Sequence, residues 1–148
     1  MNDLKSGPLK TDLQVAYEAV DLLVHRPFLQ YVLAQLNSPE FTDGLDGLPS
    51  SIVSRAQRAI DIGIKHVSII RTLRVIDWFS LKQLVIATLL VISASRLMGG
   101  TAVTEQEVTD TLNGATEVLA RTAKTSEAAK RALPLISEIR VGMKSNAA

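Results

Sequence analysis

The stretch that decides the fold runs Trp78-Phe79-Ser80-Leu81-Lys82-Gln83-Leu84-Val85-Ile86-Ala87-Thr88-Leu89-Leu90-Val91-Ile92-Ser93-Ala94-Ser95-Arg96-Leu97-Met98. Between Lys82 and Arg96 it holds thirteen uncharged residues, Gln83 to Ser95. A spanning helix wants about 20 apolar residues, and runs of about 10–14 are more often buried core helices. Leu81, Leu84, Val85, Ile86, Ala87, Leu89, Leu90, Val91, Ile92 and Ala94 leave this segment apolar on every side. A helix of that kind has to be surrounded by its own domain, by a partner or by lipid. The reading is a central, fully apolar helix near residues 78–98, with both Leu89 and Leu90 in the core.

Helical spacing continues on both sides of it. Upstream, a helix is expected to open near Thr11 or Asp12, with Leu13, Ala16, Tyr17, Val20, Leu23 and Val24 on its core face. Pro27 disfavours an αR conformation at Arg26, so that helix should end or kink there. Phe28, Leu29, Val32, Leu33 and Leu36 then form a second apolar stripe, with Pro27 as its first helical residue. The segment from Asp43 to Pro49 is a loop by composition. Ser50 or Ser51 is read as the cap of a long helix with Val53, Ala56, Ile60, Ile64, Val67 and Ile69 or Ile70 facing inward. Gly63 inside that helix points to close packing by a neighbour.

Downstream, Gly99-Gly100 reads as a helix stop, and Thr104-Glu105-Gln106-Glu107 as a capping box opening a helix with Val108, Leu112, Ala115 and Leu119 inside. A last helix starts near Thr125 and is bent by Pro134. The expected architecture is all-α, an irregular bundle of about five to six helices. One domain is expected over 11–141, with a disordered N-terminus over 1–10 and a disordered tail over 142–148.

Composition narrows the function classes. The chain has 148 residues, 47% hydrophobic, with 16 basic against 15 acidic side chains and no cysteine. That excludes a wholly disordered chain, a disulfide-stapled module and any thiolate metal site. Charge is unevenly spread: residues 1–49 carry three basic and seven acidic groups, and residues 50–100 carry seven and two. Either the middle third offers a basic face to an acidic partner, or the two thirds attract each other within one fold. The second is the simpler expectation. The N-terminus has no apolar run of the kind a signal peptide needs.

Catalytic and ligand-binding patterns are missing. His25 and His66 belong to no HExxH-type pair, and no G-x-S-x-G elbow, P-loop or G-x-G-x-x-G occurs. No cofactor or metal is expected. Arg71 and Arg74 suit a helix end better than a phosphate site. Trp78 and Phe79 are expected to anchor the core, because stacking on nucleic acid would need them exposed beside basic groups.

The segment Tyr17-Glu18-Ala19-Val20-Asp21-Leu22-Leu23-Val24-His25-Arg26-Pro27-Phe28-Leu29 is the most distinctive in the chain. It resembles the end of the regulatory, middle homology domain of fungal binuclear zinc-cluster transcription factors, where a helix with a tyrosine leads into a Leu-His-Arg-Pro-Phe-like run. Val24 stands here where leucine is usual. The order of elements is similar over roughly residues 11–140, through Ser54-Arg55-Ala56-Gln57-Arg58-Ala59-Ile60 and the aromatic pair Trp78-Phe79. The resemblance assigns a structural role to Tyr17, His25, Arg26, Pro27 and Phe28.

That resemblance implies a non-enzymatic regulatory module in the nucleus, working with protein partners or with the remainder of a larger factor. The family's DNA-binding module needs six cysteines, so direct DNA binding by this chain is not expected. The family's regulatory domain is longer, and the chain looks like its C-terminal part. Two other readings remain open: a membrane-associated helical protein using Trp78–Met98, and a small helical enzyme with a buried apolar pocket.

Overall fold

The computed structural model describes residues 8–98 and 102–146. Five helices follow one another: α1 (Pro8–Leu36), α2 (Ser50–Arg71), α3 (Trp78–Met98), α4 (Glu105–Thr122) and α5 (Glu127–Asn146). Among the described residues there is no strand, and the fold is an all-α bundle. A single 3₁₀ turn, Gly44–Gly47, lies in the connection between α1 and α2. α2 packs against α1, α3 and α4, α3 also touches α1 and α4, and α5 closes the far side on α4.

The helix ends follow local chemistry. Asp77 caps α3: its carboxylate accepts the Ser80 N–H at 2.7 Å and its carbonyl accepts the Leu81 N–H. Thr104 and Glu107 form the expected capping box on α4, with reciprocal bonds of 3.1 and 2.8 Å between side chains and backbone. Ser126 accepts the Ala129 N–H at the start of α5. The start of α2 differs from expectation. Pro49 is its cap, without a side-chain bond, and Ser50 is already helical. Proline fits because its carbonyl can take the Ile52 and Val53 N–H groups while its fixed φ suits the entry.

Four expectations are corrected. α1 begins at Pro8 and runs unbroken through Pro27. Its inner side is buried on both flanks of the proline, at Leu22, Leu29 and Val32, and that packing outweighs the one lost backbone bond. Residues 8–10 and 142–146, expected within disordered ends, are helical, and the rest of those segments, 1–7 and 147–148, lies outside the described residues. Gly99-Gly100 lies outside them too. α3 is not enclosed on every side, since Leu89 and Leu97 are 40% and 38% exposed. Trp78 and Phe79 are 70% and 42% exposed and do not anchor the core.

The expected inner face of α2 holds at Ala56, Ile60, Val67 and Ile70, which are buried, and that of α4 at Val108, Leu112, Ala115 and Leu119. Gly63 marks the α2–α3 crossing. A methyl group there would lie 3.6 Å from Val91 Cγ2 and 3.7 Å from the Ala87 carbonyl oxygen, so the two backbones approach closely where the side chains are smallest.

Candidate functional site

α1 has two apolar faces, and the bundle uses only one. Val15, Leu22, Leu29 and Val32 point inward with Glu18 and are almost completely buried. Leu13, Tyr17, Val20, Leu23, Val24 and Tyr31 point outward and are 46–74% exposed. The helical period is as the spacing predicts but its phase is not: Leu13, Ala16, Tyr17, Val20, Leu23 and Val24, expected in the core, lie outside. Charge is the reason. Glu18 and Asp21 would ordinarily mark the wet face of a helix, but here they turn toward α2 and find cations there.

Glu18 Oε2 lies 3.3 Å from His66 Nδ1, and Glu18 Oε1 lies 3.5 Å from Lys65 Nζ and from the Gln14 amide nitrogen. One turn on, Asp21 Oδ2 meets Arg58 Nη2 at 3.2 Å. His25 Nδ1 stands 3.1 Å from Asp21 Oδ1 and 2.9 Å from the Asp21 carbonyl oxygen. The pairs of Glu18 with Lys65 and His66 and of Asp21 with Arg58 join the acidic first third to the basic middle third, as mutual attraction within one fold requires. Burial pushes the His66 pKa below its ordinary value; the bond and charge of Glu18, and then the Gln83 amide, pull the other way without winning. Burial therefore favours the neutral ring.

A carboxylate beside an imidazole is also half of a general-base arrangement. Here His66 has no exposed surface, its Nδ1 is bonded to Glu18, and its Nε2 is buried without a partner of its own. No group of three His, Asp or Glu side chains able to hold a metal occurs among the described residues. The pair ties α1 to α2.

Beside the outward face, α1 and α3 enclose an open cleft of about 280 Å³. Ala16, Ala19, Val20, Leu22, Leu23 and Arg26 line it from α1, and Phe79 and Gln83 from α3. Gln83 connects the cleft to the buried His66 behind it. Arg26 is half-buried there. The cleft continues the apolar surface of α1 onto α3.

The five residues of the distinctive segment do not converge. Tyr17 and Pro27 are exposed, His25 is half-buried against Asp21, Arg26 lines the cleft, and Phe28 lies under the Arg55 guanidinium at 5.0 Å. Arg71 and Arg74 do not make a phosphate cradle either. Arg71 Nη2 is held 2.6 Å from Glu117 Oε2, and Arg74 lies beyond the end of α2. Neither the Glu18–His66 pair nor the cleft was visible from spacing alone. The one usable signal was the opposite charge of the first and middle thirds, which asks for acids on α1 facing cations on α2.

No protein-family model, no curated protein and no solved structure matches this chain.

Proposed function

We propose that the chain is a non-enzymatic helical interaction module, a part of a regulatory protein of the kind that the segment 17–29 resembles. One observation carries this reading: six large apolar side chains of α1 stand in solvent while Glu18 and Asp21 of the same helix turn toward α2 and are paired there. Monomeric proteins seldom expose a contiguous apolar patch beyond about 300–600 Å², and larger ones mark contact sites. The partner is a protein, or the remainder of a larger factor, and the place of action is the nucleus. DNA contact is left to other modules, since this chain has no cysteine for a zinc cluster. The sealed Glu18–His66 pair supports a structural rather than a catalytic role.

The test is a reporter assay with the chain fused to an unrelated DNA-binding domain. Output should change relative to the DNA-binding domain alone and return to its level with Leu23→Asp, a substitution on the outward face. Unchanged output, or output indifferent to Leu23→Asp in a folded chain, would reject the reading.

A second reading draws on α3, the one described helix long and apolar enough to cross a membrane by length and composition. Its Ala87 and Val91 lie within van der Waals reach of α2, and 44% of its most apolar window is buried within the bundle. The contact with α2 favours a core helix. Alkaline carbonate separates the readings: a spanning helix stays with the membrane pellet, and an interaction module is released.

A further inference from the structure

We infer that the outward seam of α1 is a self-association surface on which two copies of this chain pair in antiparallel orientation. This deepens the interaction reading above and rests on it, by naming the partner as a second copy.

The first argument is spacing. Leu13, Tyr17, Val20, Val24, Pro27 and Tyr31 alternate at four and three residues, a repeat of seven, and all six are exposed. That is the seam of a coiled coil. The alternation reads the same from either end. An antiparallel second α1, centred at the level of Leu22, therefore sets Leu13 of one copy opposite Tyr31 of the other, Tyr17 opposite Pro27, and Val20 opposite Val24. Each contact then occurs twice, as a two-fold interface demands.

The second argument is charge. The seam is bordered by Ala16, Leu23 and Gln30 on one side and by Gln14, Asp21 and Phe28 on the other. Asp21, the only charge among them, is already held by Arg58 and His25. No row of like charges repels a second copy, and no row of opposite charges selects a different helix. An anionic bilayer fits less well. α1 carries Asp12, Glu18 and Asp21 against Lys10 and Arg26, whereas helices that lie on such membranes concentrate Lys and Arg.

The third argument is area. The outward side chains of α1, with Phe79 at the edge of the cleft, present on the order of 800 Å², the share each partner buries in a standard-sized interface. The inner face of α1 is anchored on α2 by packing and ion pairs, so the seam is held ready and little backbone freedom has to be lost on pairing.

The absence of native cysteine makes a clean test. Light scattering on the whole chain at micromolar concentration should give twice the chain mass of 16.0 kDa. The double variant Val20→Asp/Val24→Asp should give the chain mass with unchanged helical circular dichroism, because both positions face solvent in the single copy. Mixing Val20→Cys with Val24→Cys chains should yield a cross-linked dimer under oxidation, in clear excess over either variant alone; this readout needs no charged substitution and decides the matter if the double variant fails to fold.

A monomeric wild type, a dimer untouched by the aspartates, or a monomer that floats with anionic vesicles through this face would overturn the proposal. A monomer whose reporter output still depends on Leu23 would reject the second copy and keep the interaction reading. A dimer with output indifferent to Leu23 would do the reverse.

Discussion

Glu18 of α1 and His66 of α2 meet at 3.3 Å in the interior, one almost and the other wholly removed from solvent. Because the folded ring holds its proton less tightly than an exposed histidine of ordinary pKa 6.5, the unfolded chain takes up a proton that the folded chain refuses as pH falls through that value. The contribution is therefore fully present above about pH 6.5 and is lost below it, with a slope of up to about 1.4 kcal/mol per pH unit. Denaturant midpoints measured at pH 7.5 and 5.5 should show this loss, and His66→Gln should flatten it. An identical slope in the variant would show that the ring is not held neutral.

Leu90 and its neighbour Leu89 separate the two sides of α3. Leu90 is buried at 9% exposure and Leu89 is 40% exposed. Leu90→Ala should cost about 2–5 kcal/mol by cavity formation, whereas Leu89→Ala should stay within about 1 kcal/mol. Thermal melts of the pair check the rotation of α3; equal losses would mean that the helix is enclosed after all.

Gly63 is a place where stability can be gained. Its missing methyl would meet Val91 and Ala87 at ordinary contact distances of 3.6 and 3.7 Å, so Gly63→Ala should recover up to about 1 kcal/mol of helix propensity. Gly63→Leu would have to push α3 away and should destabilise by about 1–3 kcal/mol. Opposite signs in urea unfolding are the expected result.

Thr104→Ala removes one arm of the capping box on α4 and should cost about 1 kcal/mol. Glu107→Gln keeps an acceptor for the Thr104 N–H and should cost less. Chemical denaturation of the two variants decides it.

Much of this architecture is legible in the residues themselves. Thr104 announces the start of α4 because a short polar side chain before an apolar run has free N–H groups to satisfy. Ala56, Ile60, Val67 and Ile70 give away the inner face of α2 because only apolar residues recur there at helical spacing. α1 misled for a physical reason. Val20 and Leu22 lie on opposite faces and are equally apolar, so periodicity offers two phases. The choice between them was made by Glu18 and Asp21, whose partners Lys65, His66 and Arg58 lie 37 to 48 residues away. Local pattern carries no record of such distant pairs. Pro27 misled as well, since a proline is read as a stop unless tertiary packing on both flanks is already known.

The continuity of α1 through that proline has a mechanical consequence. Twenty-nine residues at 1.5 Å each make a rod about 43 Å long. Its inner face is buried from Val15 to Val32, so both halves of the rod are held to the bundle on either side of the proline. Dye pairs placed near Thr11 and Leu36 would then report one fixed separation, loaded or not, making this helix the internal ruler against which any motion of α5 can be measured.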